Sequence, residues 1–314
     1  MERKTALVTG CSGYLGSHLV KELKREGWNV VGLDTRHTLN KYLDIFHQDD
    51  VRNPGAFEEI FGRIKIDSVF HLAGRIEIGL SKDQATEFWD TNVGGTCNLL
   101  NSMKRHGVEN IIYSSSAGVY KPTNNPLKEF SATVGNNVYA KTKLSAESAI
   151  KDSGINYIIF RYFNLAGADP EGEFGEDHDP ETHLIPSILK NLNTFKVYGD
   201  SYHTPDGTCV RDFIHVSDVA MAHVAAADML LNHNLPSTIN LGTGKGYSIL
   251  EIIKYVEQVT KQKVEYTIAD KRLGDPDILV ADSTFAKNIL NFSPRYSIMD
   301  MIKTSNDWIK NGKQ

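Results

Sequence analysis

Short apolar runs alternate with amphipathic stretches through the first half of the chain. Thr5 to Thr9 reads as a strand. From Leu15 to Glu26 apolar residues fall at Leu15, Leu19, Val20 and Leu23, a helical spacing, and Gly27 stands where such a helix would stop. Further strands are predicted at Asn29 to Asp34, more weakly near Asp44 to Gln48, and at Asp67 to Ala73, Asn110 to Ser116 and Asn156 to Asn164. Helical segments lie between them, including Glu87 to Arg105 and Asn137 to Lys151. Such alternation implies parallel strands joined by right-handed crossovers, with helices on both faces of the sheet. After Asn164 the texture changes. Gly167 to Pro186 is rich in Gly, Pro, Asp, Glu and His, as a long loop would be. Beyond it come a helix near Ile185 to Leu192, a strand near Lys196 to Tyr198, and helices over Val219 to Leu230 and Ser248 to Thr260. The expected fold is α/β, a Rossmann-like doubly wound parallel sheet with a smaller α+β substrate-binding lobe. Residues 1–165 form the first part and 166–314 the second, with a segment of about 208–242 returning to the first.

Length and charge narrow the classes. The 314 residues suffice for one large or two modest domains. A net charge of −5 argues against a chain that grips nucleic acid or an anionic membrane. Cys11, Cys97 and Cys209 are odd in number and scattered, which fits neither a disulfide framework nor a metal cluster. A reducing, cytoplasmic location and no metal are therefore expected. No run of about 18 apolar residues suggests a membrane span, and the N-terminus does not read as a signal peptide.

Two groups of residues carry candidate chemistry. Gly10-Cys11-Ser12-Gly13-Tyr14-Leu15-Gly16 follows the first strand and opens the first helix. Its glycines allow a tight turn and let a pyrophosphate approach the helix N-terminus. Asp34, at the end of the second strand, can accept both ribose hydroxyls of an adenosine and would repel a 2′-phosphate, which favours NAD. Arg36 nearby is the residue that could instead partner such a phosphate. The second group is Ser116, Tyr139 and Lys143. Tyr139 and Lys143 stand four apart on one helix face. With 13 tyrosines in the chain, about one Tyr-x-x-x-Lys arises by chance, so the spacing alone leaves a solvated helix face equally open. Ser116 at a strand end 23 residues upstream changes the picture. A free phenol, with a pKa of about 10, is a poor base at neutral pH. An ammonium and a nicotinamide cation beside it would favour phenolate. Tyr139 could then take a hydroxyl proton while hydride leaves the same carbon, with Ser116 holding the oxygen.

Here the sequence resembles the extended short-chain dehydrogenase/reductases, and within them the UDP-glucose 4-epimerases, over essentially its whole length. The resemblance rests on Thr9 to His18, His71-Leu72-Ala73-Gly74, Ser114 to Tyr120, Tyr139 to Lys143 and Arg161-Tyr162-Phe163-Asn164. It continues in Gly175 to His178, His183 to Pro186, Asp206 to Val216, Asn240 to Gly244 and Arg272-Leu273-Gly274-Asp275. It implies an NAD-dependent inversion of C4 of a UDP-hexose, UDP-glucose to UDP-galactose and back, through a 4-keto sugar. Asp50 and Val51 would meet the adenine. Thr35, Leu72, Ala73, Gly74, Asn92, Ser114 and Tyr162 would line the cofactor's path, and Lys143 would bind the nicotinamide ribose. Phe163 and Asn164 would contact the sugar and diphosphate. His183, Leu184, Phe195, Tyr198, Arg211, Arg272 and Asp275 would surround UDP, although Phe195 and Tyr198 read equally as core aromatics. A homodimer through the helices near Glu87 to Arg105 and Asn137 to Lys151 is also implied.

The chain departs from the family pattern at Arg75-Ile76-Glu77-Ile78-Gly79, at Lys121, and at Val138 and Ala140 on either side of Tyr139. These positions border the sugar, so an N-acetylhexosamine, pentose or uronic acid stays open. Ala117 and Gly118 cannot supply the extra acid and base of a 4,6-dehydratase. A non-catalytic NAD-binding regulator would not require Ser116, Tyr139 and Lys143 together.

Overall fold

The computed structural model describes residues 3–178, 180–233, 237–272 and 274–311. Leu273, inside the Arg272–Asp275 motif, lies outside the described residues. In chain order the first elements are β1 (Thr5–Thr9), α1 (Tyr14–Arg25), β2 (Asn29–Asp34), β3 (Ile45–Gln48), α2 (Pro54–Arg63) and β4 (Ser68–His71). Then come α3 (Ala85–Trp89), α4 (Gly95–His106), β5 (Asn110–Ser116), α5 (Val138–Asp152), β6 (Asn156–Tyr162), β7 (Asn164–Ala166), α6 (Leu184–Lys190) and β8 (Phe195–Tyr198). The chain continues through β9 (Val210–His215), α7 (Val216–His233), β10 (Ser237–Leu241), β11 (Gly246–Ser248), α8 (Ile249–Thr260) and β12 (Tyr266–Ala269). It ends in β13 (Ile278–Leu279), α9 (Thr284–Leu290) and α10 (Ile298–Asn311).

The larger sheet has seven strands in the order β10-β6-β5-β4-β1-β2-β3. The pairs β3·β2, β2·β1, β1·β4 and β4·β5 are parallel. The order reverses beside β1, with β2 on one side and β4 on the other, which is where an open α/β sheet leaves a crevice at its strand ends. Strand β4 is buried along its whole length, and β1 and β2 nearly so, as continuous apolar runs covered on both faces must be. Leu7, Phe57, Leu99, Ile111 and Ile159 belong to the core on one face. The predicted helix at Asn137 to Lys151 starts where Asn137 accepts the Ala140 N–H, an N-cap. That at Glu87 to Arg105 is interrupted by a π-helical turn over Asp90–Gly94.

By its internal contacts the chain forms two compact units. The first comprises residues 1–119, 133–161 and 220–239, the second residues 120–132, 162–219 and 240–314. In the second, β9 pairs with β7, β11 and β13, and β8 pairs with β12. Its core includes Ile188, Phe213, Ile252, Val256, Met301 and Ile302. Helix α8 opens with a capping box in which Ser248 and Glu251 satisfy each other's backbone N–H groups. The strand expected over Asn156 to Asn164 divides at Phe163, whose N–H goes to the Leu241 carbonyl. Asn164–Ala166 then pairs with Phe213–His215 in the smaller sheet.

Candidate active site

Gly10 lies at φ +74, and a Cβ there would stand 2.8 Å from the Ala73 nitrogen. A Cβ on Gly16 would come within 2.0 Å of the Gly10 carbonyl oxygen. The first contact draws the loop against the end of β4, and the second seats the first turn of α1 directly on the loop backbone. Only glycine permits either approach. Gly13 is the N-cap of α1 and offers no side-chain bond to the first turn, the end of a helix where an anion is favoured. Asp34 ends β2 with its carboxylate accepting the Ser12 N–H at 2.9 Å and the Arg36 N–H at 2.9 Å. Two acceptor sites are thus used of the roughly four a carboxylate has. Arg36 turns its guanidinium to the Ser12 carbonyl, at 3.1 Å. Gln48 donates to the Thr35 carbonyl, and Asp50 is paired with Arg52 at 2.6 Å. Val51 is buried where a Cβ on Gly95 would meet it at 2.6 Å. A glycine loop on an uncapped helix start, with a carboxylate at the next strand end, fits the diphosphate and adenosine ribose of NAD.

The loop after β4 is held by polar bonds. Thr9 Oγ1 meets His71 Nδ1 at 2.8 Å, accepts the Ala73 N–H at 3.2 Å, and His71 Nε2 meets Thr96 Oγ1 at 3.0 Å. His71 is fully buried, and burial first, then the Lys143 charge, push its pKa down to about 3. It is therefore neutral here. Asn92, in the π turn, accepts the Arg75 N–H at 2.7 Å and donates to the Arg75 carbonyl and to Thr142. A Cβ on Gly74 would reach Asn92 Oδ1 at 2.9 Å and Lys143 Nζ at 3.5 Å. Arg75, one of the departures from the family pattern, turns towards α3, donating to Gln84 and Glu87.

Ser116, Tyr139 and Lys143 come together. Ser116 Oγ accepts the Gly118 N–H at 3.0 Å and is hydrogen-bonded with the Tyr139 side chain. Lys143 Nζ donates to the Ser114 carbonyl at 2.7 Å, and lies 5.9 Å from the Tyr139 ring centroid and 5.1 Å from that of Tyr113. Burial raises the Tyr139 pKa, and the Ser116 bond offsets part of that. Burial lowers that of Lys143 to about 8, against the pull of Glu147. The protein alone thus keeps the phenol protonated. A further positive charge beside it is what would make it a base at neutral pH.

The residues expected around UDP lie in the second unit. Arg211 is buried, its Nη1 donating to the carbonyls of Val210 and Pro276 at 2.9 Å each, with Nη2 3.6 Å from Asp275. Arg272 stacks its guanidinium over the Tyr198 ring, 4.1 Å from the centroid. Phe195 is buried and Tyr198 half exposed on the short strand β8. His183 caps α6, ahead of Leu184, and its ring pairs with Glu176, which also meets His178 at 2.9 Å. Glu176 and the two imidazoles, with Glu181, are close enough to face one ion, but Glu181 already takes Lys190 and the His183 N–H. Tyr162 and Phe163 are buried, and Asn164 starts β7. Thr96 and Glu147 carry no role in the sequence reading, and Thr9 enters it only as the first residue of the Thr9–His18 motif. Glu147 has the α5 spacing from Lys143 as its one signal, and Thr96 has none.

A model of the NAD dependent epimerase/dehydratase family matches residues 6–242. The chain belongs to that family. It is 39% identical to the UDP-glucose 4-epimerase of Halalkalibacterium halodurans, an alignment covering 97% of this chain and 95% of the relative. Among solved structures, the UDP-glucose-4-epimerase from Stenotrophomonas maltophila with bound NAD and formylated UDP-arabinopyranose superposes with a TM-score of 0.94 at 34% identity, covering 98% of each chain. The enzyme from Bifidobacterium longum in complex with NAD+ and UDP gives 0.91 at 36% identity, over 98% of this chain and 99% of the other. The expected fold class and NAD dependence therefore stand for this family member.

Proposed function

We propose that the protein is a UDP-glucose 4-epimerase, inverting C4 of a UDP-hexose through a transient 4-keto sugar. The observation that carries this is the joined Ser116–Tyr139–Lys143 group next to a dinucleotide loop, in a family of NAD-dependent epimerases. Bound NAD supplies the hydride acceptor and, by its positive ring, the charge that favours phenolate. Gly10, Ser12, Gly13, Tyr14, Leu15 and Gly16 hold its diphosphate, and Asp34 with Thr35 its adenosine ribose. Asp50, Val51, Leu72, Ala73, Gly74, Asn92, Ser114 and Tyr162 line the rest. Tyr139 accepts the 4-hydroxyl proton and later returns it, Ser116 holds the same oxygen, and Lys143 binds the nicotinamide ribose and biases Tyr139. Arg211 and Arg272 hold the UDP diphosphate, fixed in advance by backbone carbonyls and by Tyr198 respectively. His183, Leu184, Phe195, Tyr198 and Asp275 complete the nucleotide's surroundings, with Phe163 and Asn164 at the sugar. Anchoring through UDP lets the sugar itself turn over between the two transfers. Residues 1–165 serve the cofactor and 166–314 the UDP-sugar, with part of 208–242 returning to the first.

We place the protein in the cytoplasm, where its three free cysteines would stay reduced, and as a homodimer through the helices near Glu87 to Arg105 and Asn137 to Lys151. No helix among the described residues is long and apolar enough to cross a membrane. The test is a panel of UDP-hexoses, UDP-N-acetylhexosamines, UDP-pentoses and UDP-uronic acids, each mixed with purified protein without added cofactor and read for its C4 epimer. Fastest conversion of UDP-glucose and UDP-galactose supports the proposal. Preference for another member reassigns the sugar. Conversion of none would favour a non-catalytic NAD-binding role.

A further inference from the structure

The loop that leads into α6 gathers a carboxylate and two imidazoles at one point, all within the second unit. Glu176 is only 5% exposed. Among the described residues no lysine or arginine pairs with it, and its partners are the rings of His178 and His183. Both rings bring Nδ1 to the same oxygen, Oε1, and that of His178 is hydrogen-bonded to it at 2.9 Å. His183 Nδ1 touches this oxygen too, but it is sealed from solvent and makes no hydrogen bond. A buried carboxylate has to be compensated by a cation or by a metal. A buried ring nitrogen without a hydrogen bond is likewise costly. The backbone fixes both ends of the group. The Glu176 carbonyl accepts Trp308 Nε1 from α10 at 3.2 Å, and a Cβ on Gly175 would stand 2.3 Å from that indole. The His183 N–H goes to the Glu181 carboxylate at 3.1 Å, which Lys190 holds in turn at 2.8 Å.

We propose that Glu176, His178 and His183 form a binding site for one divalent transition-metal ion of the zinc class. Their ligand atoms, together with one from Glu181, all lie within 4.8 Å of one another. Ligands held about 2.0–2.2 Å from a tetrahedral ion stand roughly 3.3–3.6 Å apart, so side-chain adjustment alone closes the group on an ion. Two imidazole nitrogens and a carboxylate oxygen suit zinc, whereas magnesium and calcium take shells of oxygen. Set between Oε1 and the two Nδ1 atoms, the ion neutralises the buried carboxylate and takes the lone pair of His183 Nδ1. It thereby answers both costs at once. Glu181 stays outside, bonded to the His183 backbone and to Lys190, and so supports a ligand rather than becoming one. Three protein ligands leave the fourth position to water. The scattered cysteines spoke against a thiolate cluster, and this site uses none of them. The ion joins the loop to His183, the N-cap of α6 and one of the residues proposed around UDP. An imidazolium is the competing way to compensate Glu176, and the experiment separates the two.

The test uses the NAD-bound protein, freed of metal by a chelator that is then removed, and needs neither sugar nor turnover. Zn²⁺ is titrated by calorimetry, and Tm is read with and without it. Binding with a raised Tm is expected, since an ion held by the folded state alone stabilises it. The variants are made at His178 and Glu176, because His183 is among the residues proposed to hold UDP. His178→Ala and Glu176→Gln should each weaken Zn²⁺ binding by at least about tenfold, no less than the loss of a ligand's supporting partner costs. His203→Ala removes an exposed imidazole elsewhere and should leave binding unchanged. Absence of Zn²⁺ binding overturns the inference and leaves Glu176 to an imidazolium. So does a His178 or Glu176 variant that binds as tightly as the unaltered protein, or a His203 variant that loses as much as they do. If the variants do not fold, Co²⁺ in the unaltered protein gives the second reading. Intense visible d–d bands without thiolate charge transfer are expected of a four-coordinate nitrogen and oxygen site. The faint bands of a hydrated ion, or thiolate absorption, overturn the inference. Failure of the whole UDP-sugar panel would sink the epimerase reading and leave the metal titration untouched.

Discussion

Replacing Tyr139 by Phe deletes one oxygen from a buried ring. The ring's packing survives, and Ser116 Oγ keeps the Gly118 N–H at 3.0 Å, so no acceptor is stranded. The lost hydrogen bond is worth about 1 kcal/mol of stability, a change of a few degrees in Tm for a chain of this size. The effect on chemistry is far larger. Among the described residues, no other acid–base side chain is bonded to Ser116, and Lys143 is already committed to the Ser114 carbonyl. A positioned proton acceptor contributes roughly 10²–10⁴ in rate, or about 3–5 kcal/mol of barrier. Turnover of UDP-glucose, followed by NMR of the sugar, should therefore fall by at least about a hundredfold. UDP affinity by calorimetry should stay within about twofold of the unaltered protein, because Arg211, Arg272 and Asp275 are untouched. Turnover within threefold of the unaltered enzyme would refute the assignment of Tyr139 as base.

Arg272→Ala should raise the KM for UDP-sugar by about tenfold, near 1.4 kcal/mol, with a smaller change in kcat. A collapse of kcat with unchanged KM would contradict a purely binding role. Gly16→Ala places a Cβ on the Gly10 carbonyl, a backbone atom that cannot swing away. NAD should be lost on gel filtration and Tm should drop by about 3 °C or more, the cost of overpacking by one methyl group. Retained NAD with unchanged Tm would show that the loop can move. Stability should also fall with acid through His71. Folded His71 stays neutral down to a pKa of about 3, first through burial, while the unfolded chain takes the proton near 6.5. The unfolded state thus binds more protons between those values, so this contribution to stability shrinks as pH drops from about 6.5 towards 3. Urea midpoints at pH 7 and pH 5 should differ by less in His71→Asn than in the unaltered protein, and equal differences would remove His71 from the account.

Sequence patterning revealed what is short-range and repetitive. Continuous apolar runs marked β1, β2, β4 and β5, because strands covered on both faces have no polar side to show. Glycines at fixed spacing marked the loop, and Tyr139, Lys143 and Ser116 were legible once placed at the ends of a helix and a strand. What escaped depends on partners distant in the chain. Strand β12 is mostly exposed, and it is a strand because Phe195–Tyr198 pairs with it. Tyr266, Thr267 and Ile268 favour a strand, but four residues without a buried face do not reveal its partner. Strand β9 carries charged residues at Arg211 and Asp212, and their burial is not visible in the strand's own pattern. Asp212 is fully buried because Thr243, Gly244 and Ala281 all donate to it. Glu147 looks like one more solvated helix carboxylate until Ser115 and Arg161 close on it. The chain's crossing between the two units at 162 lies close to the change of texture after Asn164, whereas those at 120, 133, 220 and 240 carry no such signal.

The central claim is that a proton leaves to Tyr139 while hydride leaves C4 and comes back within the same protein molecule. UDP-glucose deuterated at C4 tests it most directly, mixed with the NAD-bound enzyme in ordinary water. The account predicts UDP-galactose that keeps its deuterium at C4, with no need for added cofactor. Product carrying solvent hydrogen at C4 would contradict it.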